Sequence, residues 1–257
     1  MLDGAQVGIP VLTTTFEEIR GDSLVAGYRE PALIAQELAR AISDRIVFLD
    51  FEPGSRLTEE EVCAMYGVSR SPVREAFRTI EGEGLVVRHT RRGVRVAPMG
   101  RQDLHDVYAC RVVLEGVAAR EAASHITLET ANRLHTLLDR MAGALRQREI
   151  RTFFDHNVAF TRTIHVASKN QTLMRILAGI EKQALRYRYL AHLKSIEMLE
   201  LSLDGHREVC DAIVQHKPVL AQRRAEQLMR RAHKVIARVV EETYPDTESG
   251  SGSMDGT

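Results

Sequence analysis

The stretch from Leu57 to Val96 constrains the fold most, because it carries the start and stop signals of two short helices and then two short strands. Thr58 followed by Glu61 fits a capping box at the start of the first helix. Acidic residues fill positions 59–61, where carboxylates suit the positive end of a helix dipole. Gly67 predicts the end of this helix, as a C′ residue.

The second helix of this stretch is predicted to begin almost at once. Ser71 suits its N-cap and Pro72 its first position, where a missing N–H costs nothing. The helix runs to about Glu81, and strands follow at Leu85–Arg88 and Val94–Val96 around a basic turn. Two short helices with a glycine in the connecting turn, followed by strand–turn–strand, predict a winged helix-turn-helix.

One more helix is predicted before this stretch. Pro31 suits its first position, and "EPGSR" at 52–56 is a turn that separates it from the capping box. Its apolar residues recur at helical spacing, at Ile34, Leu38, Ile42 and Ile46. Residues 1–29 show no clear period and are interpreted as a mostly irregular arm.

Charge is balanced over the whole chain but not along it. Lys+Arg and Asp+Glu number 35 each, which excludes a globally basic protein. Between Ser69 and Arg95, however, there are seven arginines and three glutamates. Any nucleic-acid surface must therefore be local. Nearly all the positive charge is arginine, and a compositional bias of the source genome is the alternative explanation for that preference.

The predicted second helix brings its basic residues to one face at its start. Arg70 and Arg74 lie four residues apart, away from the face that carries Val73 and Phe77, and a helix N-terminus also suits phosphate. Arginine makes bidentate contacts with guanine and phosphate. The candidate DNA-binding residues are Ser69, Arg70, Ser71, Arg74 and the turn Arg91, Arg92, Gly93. A merely solvated basic face remains the alternative, above all for Arg78 and Arg95.

Helical periodicity continues from Asp103 to Glu242, beyond a domain boundary at Pro98–Gly100. Helices are predicted near 102–124, 128–147, 150–168, 171–199, 202–216 and 218–243. The fold class is thus mainly α, an N-terminal winged helix-turn-helix followed by an all-α bundle of six to seven helices. The expected division is an arm at 1–29, the winged domain at 30–98, the helical domain at 101–243 and a disordered Gly/Ser-rich tail at 244–257.

Several inward positions of the helical domain are polar. Arg111 interrupts the stripe that includes Leu104 and Val107, Asn157 lies among phenylalanines, and His206 lies among leucines. Buried polar groups are costly unless they are partnered. A bundle with such an interior is expected to hold a polar ligand. The alternatives are local: Arg111 pairs with Glu115 one turn on, His206 is a satisfied core histidine, and Asn157 bonds a neighbouring helix.

The remaining composition argues against other classes. Cys63, Cys110 and Cys210 are too few and too far apart for a disulfide scaffold or a zinc finger, and we expect buried free thiols. No signal peptide and no apolar run long enough to cross a membrane are evident, so a cytoplasmic location is expected. HExxH, GxSxG and P-loop motifs are absent from the sequence.

"SRLTEEEVCAMYGVSRSPVREAFRTIEGEGLVVRHTRRGVRV" resembles the DNA-binding domain of the GntR family of bacterial transcription regulators. The similarity spans about Leu33–Val96 and is strongest at Gly67–Ala76 and Glu83–Val86. It implies DNA contact by the candidates named above. Some relatives carry an arginine where this chain has Glu60, and a carboxylate is not expected to bind phosphate there.

"CRVVLEGVAAREAA", "FTRTIHVASKN" and "DGHREVCDAI" resemble the FCD ligand domain that accompanies such DNA-binding domains. Many FCD domains bind a divalent metal. Here the resemblance puts Asn157 and Thr161 at the first two ligand positions, His206 at the third and Leu228 near the fourth. Asn and Thr are poor zinc ligands, so no metal and no other cofactor is expected. An improvised site of Asp155, His156 and His165 is the alternative.

Three functions follow from these features. The first is a homodimeric, ligand-responsive transcription regulator, expected to be a repressor. It would bind a pseudo-palindromic double-stranded operator and a small organic acid effector, with Arg111, Asn157, Thr161 and His206 as polar anchors. The second is an architectural DNA binder with a structural dimerisation bundle. The third, a metal-dependent enzyme of the helical domain, lacks a matching motif, so the chain is not expected to be an enzyme.

Overall fold

A computed structural model describes residues 31–90 and 93–245 of the chain. The predicted arm at 1–29, nearly all of the predicted tail, and Arg91 and Arg92 of the predicted wing turn lie outside these ranges. In the described part the helices are α1 Pro31–Val47, α2 Glu59–Tyr66, α3 Arg70–Gly82, α4 Arg101–His125, α5 Leu128–Gln147, α6 Ile150–Ala167, α7 Gln171–Lys194, α8 Ile196–Val214 and α9 Pro218–Thr243. The strands are β1 Arg56–Leu57, β2 Val86–His89 and β3 Gly93–Val96.

The predicted fold class is confirmed: a winged helix-turn-helix precedes a helical bundle. In the first unit, α1 and α3 pack against each other, and the three strands form an antiparallel sheet in the order β1-β3-β2. Leu57 pairs with Val94, and Val86 pairs with Val96. Strand β1 was not predicted, because two residues are too short to show an alternating pattern.

The core of the winged unit contains most of the residues expected from helical spacing, although Ile34 is only partly buried. Leu38, Ile42 and Ile46 of α1 are fully buried, and Phe77 and Ile80 of α3 pack with them. Burial of each such side chain contributes about 1.5–3 kcal/mol. This packing fixes the orientation of α3, so its opposite face turns to solvent.

The ends of α2 follow the prediction. The Thr58 hydroxyl accepts a hydrogen bond from the Glu61 amide at 3.1 Å, and the Glu61 carboxylate accepts one from the Thr58 amide at 3.1 Å. Gly67 ends the helix with a left-handed backbone at φ 65°, which favours glycine because it has no Cβ. These local signals set the angle at which the chain enters α3.

The start of α3 differs from the prediction by two residues. Ser69, not Ser71, is the N-cap, so Ser71 and Pro72 both lie within the first turn. Proline is tolerated there because amides of the first turn have no acceptor within the helix. Arg70 is therefore the first helical residue rather than part of the preceding turn.

In the bundle, α4 and α9 form the most extensive helix pair, and α5 packs on α6. The break between α7 and α8 was wrongly predicted at about 199–202. It falls at Ser195, whose hydroxyl accepts a hydrogen bond from the Met198 amide at 3.3 Å. An N-cap serine inside a continuous apolar pattern thus ends one helix and starts the next.

The expectation of three buried thiols is correct only for Cys210. Cys63 is partly buried, and Cys110 is exposed on α4. Val113, one turn further along the same face, is 59% exposed, so this face of α4 points away from the bundle interior. Helical periodicity alone did not show which face of α4 turns inward at Cys110.

The winged unit docks on α7 of the bundle through a charged and an apolar patch. Lys182 Nζ lies 2.7 Å from Glu83 Oε1 and donates to the Ser43 hydroxyl at 3.1 Å. Beside them, Phe48 of the winged unit packs against Phe154 and Tyr189, with ring centroids 5.8 and 4.9 Å apart. The two units are therefore joined by side-chain contacts as well as by the chain.

The connecting segment is also held by α7. Arg186 donates a hydrogen bond to the Ala97 carbonyl at 2.6 Å, and Tyr187 donates one to the Gly100 carbonyl at 3.2 Å. Arg186 is almost fully buried. Because both ends of the short connection bond to one helix, a displacement of α7 must move the winged unit or break these bonds.

Candidate nucleic-acid interface and inner polar cluster

The start of α3 presents polar side chains to solvent. Ser69, Arg70, Ser71 and Arg74 are all exposed, whereas Val73 on the other face is fully buried. Ser69 makes no side-chain capping bond. The amides of Arg70 and Ser71 therefore have no acceptor within the helix, as is usual for a first turn. Two guanidinium groups, two hydroxyls and a helix N-terminus converge here, a combination that suits phosphate and base edges.

Arg74 is not a free cation. Its Nε lies 2.9 Å from the Glu59 carboxylate at the start of α2, yet 59% of the Arg74 side chain remains exposed. Solvent screens exposed pairs of this kind, so they contribute little to stability and a DNA phosphate can compete for the guanidinium. The acidic run was interpreted only as a helix-start signal. Glu59 in fact faces the candidate interface.

Other arginines of the winged unit bond within the protein. Arg78 pairs with Glu75 at 2.9 Å, and Arg95 donates to the Gly54 carbonyl at 2.8 Å. The Arg95 contact favours the structural alternative stated for that residue. The Arg78 pair is at least as exposed as the Arg74 pair, so it does not decide between the two alternatives for Arg78.

The predicted wing contact lies at the turn between β2 and β3. Gly93 starts β3, pairs with His89 and is exposed, with a left-handed backbone at φ 75°. Arg91 and Arg92, which precede it, are outside the described residues. The DNA-contacting role of all three remains a prediction.

The four predicted effector anchors gather around two small voids inside the bundle. Arg111, Asn157 and His206 line one void, together with Leu228. Arg111 and Thr161 line the other. Each void measures about 10 Å³, which leaves room for about one water molecule. We call the following polar side chains around these voids the inner polar cluster: Arg111, Glu115, Asn157, Thr161, His165, Arg188, Ser202 and His206.

Arg111 has the partner that the local alternative proposed. Its guanidinium lies 2.7 Å from Glu115 one turn on, and both side chains are buried. The other Glu115 oxygen lies 2.8 Å from His165 Nε2. Burial alone would raise the pKa of Glu115, but the charges of His165 and Arg111 outweigh burial and hold that pKa below its usual range. Glu115 is thus an ionised acceptor shared by two donors.

Arg188 is the central residue that sequence reasoning missed. It is fully enclosed in the bundle, lines both voids, and donates a hydrogen bond to Asn157 Oδ1. Burial, and then the positive charge of Arg111, lower the pKa of Arg188 to about 10. Arg188 lies at helical spacing from Leu177, Ala184 and Ala191 on α7, and this spacing could have identified it as an inward residue. It was missed because it lies in the run "RYRY", where arginine alternates with tyrosine.

The positive charge of Arg188 lacks a bonded carboxylate among the described residues. Glu115 is bonded to Arg111 and His165, and Glu181 is bonded to Arg162 through two hydrogen bonds of 2.8 Å. A buried cation without such a partner is costly. The inner polar cluster is therefore electropositive and suited to an anion.

The remaining anchors differ in what they can offer. Thr161 donates to the Asn157 carbonyl within its own helix at 3.1 Å, while Asn157 Nδ2 is buried and has no partner in the described part of the chain. Burial, and then Arg188, lower the pKa of His206 to about 3, so its imidazole is neutral at neutral pH. His206 also packs against Phe160, with ring centroids 4.6 Å apart. A neutral imidazole and a free amide N–H are donors that an anion could use.

Three of the residues that the resemblance puts at metal-ligand positions, Asn157, His206 and Leu228, line one void. Leu228 lines the void beside His206, whereas His233 stacks on Tyr108 with ring centroids 5.4 Å apart. Among the described residues, no three His, Cys, Asp or Glu side chains are grouped so that they could hold a metal ion. The improvised site is not assembled either: Asp155 lies 3.6 Å from Arg151, and His165 bonds Glu115.

Comparison with known proteins identifies both parts of the chain. Residues 34–96 match the profile "Bacterial regulatory proteins, gntR family", and residues 106–231 match the FCD domain. A protein of Paenarthrobacter nicotinovorans named "Probable D-xylose utilization operon transcriptional repressor" is 30% identical over 171 residues, which cover 66% of this chain and 74% of that protein. The repressor RspR of Escherichia coli is 28% identical over 182 residues, covering 70% and 78%.

Among solved structures, Escherichia coli McbR/YncC has the same fold, with a TM-score of 0.71 at 16% identity over 80% of this chain and 97% of that one. The two family matches and the 30% identical relative show that the chain belongs to the GntR family of bacterial regulatory proteins, with an FCD domain after the DNA-binding domain. It is a transcription regulator of this type and not an enzyme, as the sequence predicted. In the described residues, no helix is both long and apolar enough to cross a membrane.

Removing the Glu59 carboxylate should strengthen DNA binding. Glu59→Gln frees Arg74 for a phosphate, so we expect about three- to tenfold tighter binding to duplex DNA at 0.15 M salt and a salt slope steeper by about 1. Fluorescence anisotropy with a labelled duplex over a salt series measures both quantities.

Glu60→Gln is the matched control, because Glu60 is exposed in the same helical turn and the change of net charge is equal. It should have a smaller effect. Equal effects of the two variants would mean that general charge, and not the pair with Arg74, controls the affinity.

Proposed function

We propose that this regulator is a homodimeric repressor that binds a pseudo-palindromic operator and responds to a small organic anion. The division of labour follows the expected domains, with DNA binding in residues 30–98 and effector binding and dimerisation in 101–243. A two-fold dimer places two copies of α3 on half-sites related by the same symmetry. Since its target is bacterial DNA, the protein acts in the cytoplasm. The names of two relatives, both repressors, support the direction of the effect.

DNA contact is assigned to Ser69, Arg70, Ser71 and Arg74 at the start of α3 and to Arg91, Arg92 and Gly93 of the wing. The support is the convergence of exposed guanidinium groups and hydroxyls at a helix start. Arginine can contact guanine with two hydrogen bonds, whereas contacts with phosphates fix the register.

Effector contact is assigned to Arg111, Asn157, Thr161 and His206, with Arg188 added from the structure. The support is electrostatic: Arg188 is buried without a bonded carboxylate, and Asn157 Nδ2 has no partner among the described residues. A carboxylate would supply both acceptors and neutralise the guanidinium. The proposed effector is therefore a small organic acid.

The observation that carries the coupling is the placement of α7. Lys182 of this helix bonds the winged unit, and Arg186 bonds the segment that connects the winged unit to the bundle. Arg188 and Glu181 of the same helix line the inner voids. The voids are too small for an organic acid as they stand. An effector must therefore separate the helices around Arg188, and that movement reaches the winged unit through α7. The effector and DNA then each favour one of the same two arrangements of α7 and the winged unit. Allostery requires that both ligands act on such a shared pair of states.

Binding to selected DNA tests the first half of the proposal. Duplexes enriched from a random library by the full-length protein should contain an inverted repeat, with affinity that falls about 10³-fold or more between 50 and 200 mM salt. Arg70→Ala with Arg74→Ala should weaken binding at least about 100-fold. Arg223→Ala, an exposed arginine of α9, should change it less than about twofold. Equal affinity for selected and random duplexes would contradict sequence-specific regulation.

A thermal-shift screen of organic acids tests the effector. A binding acid at about 100 times its Kd stabilises the folded chain by about 2.7 kcal/mol, which raises the midpoint by about 5–10 °C. The same acid should change the affinity for the selected duplex at least about fivefold. Arg188→Met should keep the fold and lose both responses. If no acid affects stability or DNA affinity, the architectural DNA binder becomes the better account.

A further inference from the structure

A second cavity lies at one end of the bundle, apart from the inner polar cluster. We call it the outer cavity. It measures about 410 Å³, within the range of sites for small organic molecules. It forms where α5 ends, α6 starts, α7 ends and α8 starts, and much of its wall is apolar, from Ala144, Ile150, Phe153 and Leu199. None of the four predicted effector anchors lines it.

The rim of the outer cavity is cationic. Arg148 and Lys194 line it and are exposed, and neither forms an ion pair within the described part of the chain. Glu149 is the acidic residue in the lining, so the basic groups are in excess. An apolar wall with a cationic rim matches an amphipathic anion. The apolar part of such a ligand is buried against the wall, while its charged group stays at the cavity entrance beside the cations.

The start of α6 adds to this preference. Helix α6 begins at the outer cavity, and its N-cap, Glu149, makes no side-chain capping bond within the described residues. No acidic residue occupies the first turn of α6. The amides of that turn are therefore available to a carboxylate, and the helix dipole favours negative charge there.

The wall toward the bundle interior contains His192. This side chain is 1% exposed, and its Nδ1 has no hydrogen-bond partner among the described residues. Its Nε2 lies 3.1 Å from the Ser202 hydroxyl, and Ser202 lines one of the inner voids. Burial, and then the charge of Arg188, hold the pKa of His192 well below its usual value. A neutral ring thus lies between the outer cavity and Ser202, which lines an inner void.

We propose that the outer cavity is a second small-molecule site, which takes a monocarboxylate with an aryl or branched alkyl body. The carboxylate lies between Arg148, Lys194 and the start of α6, and the apolar body packs against Ile150, Phe153 and Leu199. The site goes beyond the proposed effector function, because it shares no anchor with the inner polar cluster and needs no DNA. Its ligand contacts the end of α7, the helix that holds the winged unit.

Calorimetric titration of the full-length protein without DNA tests the site, with 4-phenylbutyrate as the acid and 4-phenylbutan-1-ol as its uncharged counterpart. The wild-type chain should bind the acid about tenfold more tightly than the alcohol. The double variant Arg148→Gly, Lys194→Ala should remove this preference, because each exposed cation is expected to contribute about threefold to the affinity for the acid. Arg148 has a left-handed backbone at φ 59°, so glycine is tolerated there without strain.

Three further variants keep the result interpretable. Ala144→Leu adds bulk to the outer cavity and should weaken acid and alcohol alike, whereas Arg223→Ala should change neither. Arg188→Met should leave binding of the acid unchanged, which separates this site from the proposed effector site. Acid affinity that survives both the double variant and Ala144→Leu, or that is lost in Arg188→Met, would overturn the proposal, whatever the outcome for DNA binding.

Discussion

The buried guanidinium of Arg188 is the interaction on which the rest of the account depends. A cation inside a helical bundle without a bonded carboxylate is a cost to stability, and only Asn157 Oδ1 accepts a hydrogen bond from it among the described residues. The carboxylates of Glu115 and Glu181 do not neutralise the charge of Arg188, because they bond other side chains. The bundle is thus arranged so that an anion entering it gains more than it would in a neutral core.

The same helix transmits what happens at that charge. Along α7, the residues that hold the winged unit and its connection lie within one or two turns of Arg188. A helix is stiff over such a distance, so a shift at the inner polar cluster is felt at Lys182 and Arg186. The interface at the start of α3 has its own restraint, since Glu59 bonds Arg74 at 2.9 Å. In the proposed function, affinity for DNA therefore depends on the Glu59–Arg74 ion pair and on the contacts that α7 makes with the winged unit.

Local signals explain why much of the fold could be predicted from the sequence. The capping box at Thr58, the left-handed Gly67 and the apolar stripe through Ile42 depend on residues a few positions apart, so the sequence contains them in full. Predictions failed where two local signals compete. Ser69 and Ser71 are both suitable caps before Pro72, and Ser195 interrupts a run that otherwise continues as one apolar pattern.

Contacts between distant residues could not be predicted in the same way. The polar anchors Arg111, Asn157 and His206 were found because each interrupts an apolar stripe. Their convergence with Arg188 depends on how four helices cross. Lys182 and Glu83 are 99 positions apart, and nothing in either local sequence indicates the pair. Four residues of the inner polar cluster were therefore predictable, but Arg188 and the link of the cluster to the winged unit were not.

Hydrogen exchange of Arg188→Met against the wild-type chain tests this link most directly, because it needs neither effector nor operator. The account predicts altered exchange both in α7 around residues 181–192 and in the parts of the winged unit that α7 holds, residues 43–48 and 97–100. Arg223→Ala should leave both regions unchanged. Altered exchange confined to the bundle, with residues 43–48 and 97–100 as in the wild type, would contradict the claim that the buried charge and the DNA-binding unit are coupled through α7.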